Sequence, residues 1–266
     1  ILYKLADIND TERGWGIRDE TWNFMESLKK IGGEDWFQLG DKDLATHIER
    51  TRRLTEGQTL SEVTRALCQQ HKIAHSIVPM TDHRVGTVVD TKDGDFFFQD
   101  YFVRLRCEPT FTGVHYKGME EAVPAPQFKA ALRDPSLTAI MFCPSNPYVS
   151  IDPILSVPGV FNALNNAGVP IIAVSPIIGG QAVKGPAAKM MAELGLPVSP
   201  RGIAQHYGNL IDGLVIDNED VDLAEQIMAT GIGVQVTNTL MKSAEDEALL
   251  AQETLNLAAT LSRKRS

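Results

Sequence analysis

Within ten residues the segment LGDKDLATHIER gathers Asp41, Asp43, Thr46, His47 and Arg50. On a helix, Asp43 and His47 share a face at i, i+4, as do Thr46 and Arg50. Such a cluster can orient a substrate hydroxyl or neutralise a phosphate. It can equally be a capped surface helix whose ion pairs contribute roughly a few tenths of a kcal/mol each.

Two loops suggest related chemistry. In FCPSNPYVSIDPIL, Pro144 and Pro147 bracket Ser145 and Asn146. The prolines fix φ and remove two backbone donors, so Ser145 and Asn146 sit in a stiff loop suited to holding something else. In VSPIIGGQAVKGPAAKMM a strand ends at Ser175-Pro176, glycines 179, 180 and 185 loosen the route, and Pro186 opens a helix flanked by Lys184 and Lys189. Proline at the first helical position costs no hydrogen bond, and the bare N–H groups of that turn attract phosphate. The bland alternative is a Gly-Pro helix start with two solvated lysines. RGWGIRDETW adds Trp15, Arg18 and Trp22 as a platform for a planar ligand, although Trp22 falls on an apolar stripe and is expected in the core. His71, His75, His83 and His206 stand alone and read as surface or satisfied core.

The elements that position these residues follow from periodicity. Helices are expected over 20–31, from about Asp43, and after Thr59, whose pairing with Glu62 is a capping-box pattern ahead of Leu60, Val63 and Leu67. Three β-rich runs follow: AHSIVPM, GTVVDT and DFFFQDYFV, the last two joined by the hairpin signal KDG. From residue 124 onward helices (125–133, 158–166, 186–194, 201–207, 219–229, 243–262) alternate with apolar strands (137–143, 169–175, 211–216, 232–237). That alternation implies a Rossmann-like, doubly wound α/β fold: a mostly parallel sheet, helices on both faces, and a small antiparallel hairpin excursion. One α/β domain over residues 1–266 with a helical and hairpin insertion at about 15–120 is the expected organisation. Ligands of such sheets bind at the carboxyl ends of the strands, where both unusual loops fall.

The totals exclude several classes. A net charge of −9 argues against duplex nucleic acid or anionic membrane as partner. No run of 18 apolar residues suggests a membrane span, so a soluble protein is expected. Cys68, Cys107 and Cys143 lack metal spacing and read as small buried hydrophobes in a reducing cytoplasm. G-x-S-x-G, H-E-x-x-H, Walker and G-x-G-x-x-G patterns do not occur, which removes serine hydrolases, zincins and P-loop NTPases. The chain lacks an initiator Met and opens as though mid-helix, so an upstream segment is expected. The ending LSRKRS reads as a solvated tail.

Taken in order, RGWGIRDETW, LGDKDLATH, LTEGQTLSEVTRALC, CPSNPYVSIDPIL, VSPIIGGQAVKGPAAKMM and SPRGIAQHYGNLIDGLVID resemble the 2-phospho-L-lactate transferase family of coenzyme F420 biosynthesis over nearly the whole chain. The resemblance implies transfer of a phospholactyl-type unit from a guanosine-diphosphate-activated donor to the deazaflavin Fo, releasing GMP, with Mg²⁺, in a cytoplasmic homodimer. It places the acceptor near Gln38, Gly40, Thr46, His47 and Trp15, with Asp41 and Asp43 as orienting or metal-side carboxylates. Asn146 joins them in the catalytic set, while Ser145, Ser150, Ser175, Gly185, Lys189 and Arg50 hold the donor or its phosphates. The family's Gly-rich nucleotide loop and acidic segment would precede Ile1, so the metal ligands are unassigned. Cys143 stands where relatives often carry Gly, a departure of little expected consequence. Phospholactate, phosphoenolpyruvate and phosphoglycerate donors all stay open, as does the catalytic base. A nucleotide-sugar-binding regulator on the same fold is the alternative; a nicotinamide dehydrogenase rests on fold alone.

Overall fold

The structure, a computed structural model, describes residues 1–265, with side chains as far as Leu261; the basic ending 262–266 lies outside the residues so described. The chain folds into two compact units, residues 1–84 with 122–128, and residues 85–121 with the chain from 129 onward.

The first unit is helical: α1 (Leu2–Leu5), α2 (Asn23–Lys30), α3 (Asp41–Thr55) and α4 (Leu60–Gln70). The capping box forms as its spacing implies, with Glu62 N donating to Thr59 Oγ1 at 3.2 Å and Thr59 N donating to Glu62 Oε2 at 2.8 Å. Val63 and Leu67 turn inward from α4. AHSIVPM, expected as a β run, forms no strand; next to it only the single bridge Thr81–Pro124 occurs. Apolar, β-branched residues become a strand only when a neighbour takes their backbone groups in a ladder, and here that neighbour is missing.

The second unit opens with β1 (Gly86–Thr91), β2 (Gly94–Phe97) and β3 (Phe111–Lys117), an antiparallel sheet in the order β2-β1-β3. The hairpin is where KDG placed it. The run DFFFQDYFV, however, leaves the sheet after Phe97 and winds into a π-helical turn at Asp100–Arg104. The cause is helical spacing hidden in the apolar run: Phe98 stacks on Phe102 at 5.4 Å, and Arg104 pairs with Asp100 at 2.7 Å, both i, i+4. β3 was not foreseen.

Beyond it come α5 (Pro126–Ala131), which crosses the boundary of the two units in sequence, β4 (Ile140–Phe142), α6 (Asp152–Leu155), α7 (Val160–Asn165) and β5 (Ile171–Val174). A small hairpin of β6 (Ile177–Ile178) and β7 (Gln181–Ala182) precedes α8 (Ala187–Glu193) and α9 (Pro200–Tyr207). β8 (Gly213–Asp217), α10 (Ala224–Met228), β9 (Gly233–Thr237) and α11 (Ala244–Arg265) complete the alternation. Strands β4-β5-β8-β9 pair in parallel in that order. On one face Ile172, Val174 and Val215 pack with Leu250, Leu257 and Ala258 of α11. Their alternates Ile171, Ala173, Leu214 and Ile216 are buried as well, so both faces are covered. Each of the Val, Leu and Ile side chains among them contributes roughly 1.5–3 kcal/mol. The result is the Rossmann-like α/β fold with helices on both faces and a small antiparallel sheet.

Candidate functional site

In the first unit the polar face of α3 is assembled by two exchanged caps. Lys42 N and Asp43 N, at the start of α3, donate to Glu20 Oε2 and Oε1 at 2.8 and 2.9 Å. Asp41 in turn caps the start of α2: its Oδ2 accepts from Thr21 Oγ1 (2.7 Å), Asn23 Nδ2 (3.0 Å) and Asn23 N (3.2 Å), and its Oδ1 from Phe24 N (3.1 Å). Those bonds, led by the Thr21 hydroxyl, hold Asp41 at a pKa of about 2. Four donors take up the hydrogen-bonding capacity of a carboxylate. Gly40 is buried, and a Cβ there would meet the Glu20 side chain, so a larger residue would push aside the carboxylate that caps α3.

One turn into α3 the side chains form a line. Tyr3 Oη donates to Asp43 Oδ1 at 2.5 Å, His47 Nε2 lies 3.4 Å from the same oxygen, and Arg50 Nη2 lies 3.2 Å from His47 Nδ1. A guanidinium only donates, so His47 Nδ1 accepts and the ring proton sits on Nε2, directed at Asp43. Burial pushes Asp43 up, but the bonds from His47 and Tyr3 outweigh it and hold the carboxyl below its usual range. Tyr3 is pushed up to about 12 by burial and by its bond to Asp43. The Thr46 hydroxyl also reaches Tyr3. Asp43 is buried, whereas His47 and Arg50 are progressively more exposed, so the line runs from interior to solvent.

Trp15 is 46 % exposed and packs edge-on against half-buried Trp22 at 6.1 Å. The Arg13 guanidinium lies over both rings, 5.2 and 4.8 Å from their centres. Trp22 is therefore a partner of Trp15 rather than core. Gln38 is exposed and bonds the carbonyl of Asp35.

In the second unit the loop residues are largely spent on the loops themselves. Asn146 caps the π-helical turn Pro147–Ile151: Oδ1 accepts from Tyr148 N at 3.0 Å and Val149 N at 3.4 Å, while Nδ2 contacts Met190 Sδ at 3.3 Å. Ser175 is 2 % exposed; its Oγ donates to Ile177 O at 2.9 Å and accepts from Ile177 N at 3.1 Å, bracing the Ser-Pro corner. Lys189 turns away from the helix start. Its Nζ pairs with Glu193 Oε2 at 2.6 Å and donates to Pro109 O at 3.1 Å and Tyr101 Oη at 3.4 Å. Burial opposes the charge on Lys189, and the bonds from Glu193 and Tyr101 more than offset it. Pro186 is the cap of α8 rather than its first residue, and Gly185 before it takes φ +72°, a left-handed conformation suited to glycine. Ser145, Ser150 and Lys184 make no hydrogen bond or ion pair through their side chains among the described residues; Ser150 and Lys184 are exposed, Ser145 half-buried.

Two carboxylates that sequence reasoning passed over lie at the carboxyl end of β8. Asp217 accepts from Thr239 N (2.7 Å), Thr239 Oγ1 (2.9 Å) and Glu219 N (3.1 Å), and Asp220 accepts from Gly179 N (3.1 Å). Burial pushes both up; backbone donors outweigh it for Asp217, whereas Asp220 stays raised. Their signal was legible as acids ending a strand, in GLVIDNED. His206, read as surface or satisfied core, is paired, with Nε2 2.9 Å from Asp152 Oδ1. Among the described residues no three His, Cys, Asp or Glu side chains gather into a metal cage.

Comparison with known proteins gives this geometry a context. The family model described as 2-phospho-L-lactate transferase CofD matches residues 1–248. The chain is 41% identical over 264 residues to a phosphoenolpyruvate transferase of Streptomyces coelicolor, covering 97% of this chain and 82% of that protein. It is 38% identical over 261 residues to a 2-phospho-L-lactate transferase of Methanococcoides burtonii, covering 98% and 84% respectively. A crystal structure of a UPF0052-family protein from Bacillus halodurans superposes with a TM-score of 0.59 at 13% identity, over 96% of this chain and 82% of that one, a likeness of fold alone.

Proposed function

This chain belongs to the 2-phospho-L-lactate transferase family CofD, and from that premise we propose that it transfers a phosphorylated three-carbon acid from a guanosine-diphosphate-activated donor to a hydroxyl of the deazaflavin Fo. In the step proposed, the alcohol oxygen forms a bond to the phosphorus that carries the acid. The phosphoanhydride bond breaks, GMP leaves with the electron pair, and the alcohol proton goes to solvent or a nearby acceptor. The observation that carries this reading is the family match running through residues 1–248, which takes in α3, the Pro-Ser-Asn-Pro loop and the Gly-Pro loop.

The line on α3 supplies the acceptor side. Asp43 spends Oδ1 on Tyr3 and His47, so Oδ2 is the oxygen available to accept from the substrate hydroxyl. A carboxylate held below its usual range is a weak base. Its role is orientation, with the proton leaving late as the P–O bond forms, as loose phosphoryl-transfer transition states allow. Arg50, exposed at the outer end of the line, would meet negative charge, and Trp15 would stack on the flat deazaflavin. On the donor side, the Ser145 and Ser150 hydroxyls and the backbone N–H groups around Gly185 would take phosphate oxygens. Asn146 and Ser175 keep those groups in place. Asp41 caps α2 and Lys189 is bound to Glu193, so both act here as supports.

Mg²⁺ belongs to the proposal as the ion that would neutralise the diphosphate. The described residues do not form a cage for it, and Mg²⁺ often takes only one or two protein carboxylates plus substrate phosphates, so no step above passes through it. A homodimer is likewise proposed, and sedimentation tests it.

The test is turnover with Fo, Mg²⁺ and, separately, the guanylylated donors carrying phospholactate, phosphoenolpyruvate and phosphoglycerate, with GMP and phosphorylated deazaflavin followed by mass. Product from one donor supports the transfer and identifies its acid. No product from any donor, by the folded protein, would sink the reading.

A further inference from the structure

We propose that the first unit carries a second small-molecule site, a pocket of 180 Å³ beside α4 that binds a small hydroxycarboxylate. The pocket is lined by Ser61, Arg65 and Cys68 of α4, by the segment 73–79 that failed to become a strand, and by Gln127. Asp41, Asp43 and His47 do not line it.

Two observations converge. Ser61 Oγ and Gln127 Oε1 are both buried and have no hydrogen-bond partner among the described residues, and both residues face this one pocket. Ser61 as a whole is only 6% exposed. Leaving such atoms unpaired forfeits the hydrogen bonds they made to water, which is why buried polar groups are nearly always satisfied. Nor is the Ser61 hydroxyl needed for the helix. Thr59 and Glu62 cap α4, and Ser61 N is held by Asp82 Oδ1 at 2.7 Å. The second observation is Arg65, exposed at the same pocket and without an ion pair or hydrogen bond among the described residues.

The ligand class follows from this chemistry. Gln127 Oε1 only accepts and so requires a donor; Ser61 Oγ can do either; Arg65 seeks an anion, best a carboxylate in fork geometry. A molecule carrying a hydroxyl a carbon or two from a carboxylate answers all three. The volume is close to that of cavities of about 150 Å³ that hold a six-membered ring, which limits the ligand to roughly six to eight heavy atoms. Cys68 forms part of the wall, and burial pushes its thiol up, so it is an inert surface rather than a nucleophile and the site binds without covalent chemistry.

Glycerate is the probe, and propionate, which lacks hydroxyls, is the control. Titration of the intact protein is followed by calorimetry and by the amide resonances of Ser61, Cys68 and Gln127. Glycerate is expected to saturate and to move those three resonances, while propionate binds far more weakly. Ser61→Ala and Gln127→Leu should each weaken glycerate binding about three- to tenfold, and Arg65→Met about tenfold or more. Because the first two substitutions delete an unpaired buried atom, both variants should melt no lower than the parent. The proposal is overturned if glycerate moves only resonances elsewhere, if the three variants bind it as the parent does, or if a crystal soaked in glycerate holds water alone in the pocket.

Discussion

The face of α3 and the strand-end loops of the second unit draw on the same residue types but commit them differently. On α3 the spacing of Asp43, His47 and Arg50 lines up three side chains along one helix, with Tyr3 closing the inner end. In the second unit Lys189 reaches across 80 residues to the carbonyl of Pro109, and Asn146 across 44 to Met190. Those loop side chains bracket the backbone, whereas the α3 line keeps an oxygen and a guanidinium in hand. At the loops Ser145, Ser150 and Lys184 have side chains without a hydrogen-bond partner among the described residues, whereas on α3 the polar side chains are joined to one another.

The hardest test of that contrast is Asp43→Asn. Turnover should fall about a hundredfold, the size of effect that follows from misplacing a reacting group by an ångström, while the unfolding midpoint moves little. Unchanged turnover would remove the α3 line from the chemistry. Gly40→Ala comes next: the new Cβ collides with Glu20, α3 loses its cap, and urea denaturation should report a loss of about 1–3 kcal/mol. Stability equal to the parent would mean that Glu20 is not what holds the helix start. Lys189→Met should cost about 1 kcal/mol by taking the cation from Glu193, which keeps only its bond from Phe111 N at 2.8 Å, a figure kept small because the pair is 34% and 23% exposed, with donor affinity intact. Lost donor affinity at unchanged stability would turn Lys189 from bracket into ligand.

Asn146→Ala should lower stability by about 1 kcal/mol through the lost cap and slow turnover by roughly tenfold, because the loop that presents Ser145 loosens. Kinetics like the parent's would take that loop out of the site. The smallest effect concerns pH. The ordinary pKa of Asp41 is 3.8 and its folded value is about 2, so its contribution is fully present above about 4 and disappears as pH falls through about 2. Asp41→Asn should flatten the stability profile over that window alone. A profile identical to the parent's would mean that the caps around Asp41 do not form in solution.

Local periodicity explains which parts of the molecule were legible. The capping box at Thr59, the apolar stripe of α4 and the strands Ile171–Val174 and Gly213–Asp217 each depend on residues within a turn or on alternation along one segment. The misreadings share the opposite property. Residues 74–80 have strand composition but no neighbour to ladder with. The run after Phe97 carries strand-forming aromatics whose i, i+4 partners favour a turn of helix. β3 contains Gly113, a weak strand residue, and its place beside β1 is set by pairing rather than composition: a Cβ at Gly113 would lie 3.1 Å from the Asp90 carboxylate.

Sequence alone determined the α/β alternation, the helix starts and the polar face of α3, because hydrophobic period and capping chemistry act over a few residues. It also marked both strand-end loops as unusual, since proline and glycine restrict or free the backbone wherever they stand. Only the tertiary structure decided that Asp41 is a cap, that Lys189 belongs to Glu193 and Pro109, and that Ser61 and Gln127 meet at one pocket. Those outcomes depend on which distant donors and acceptors arrive beside a side chain, and arrival is set by how whole elements pack.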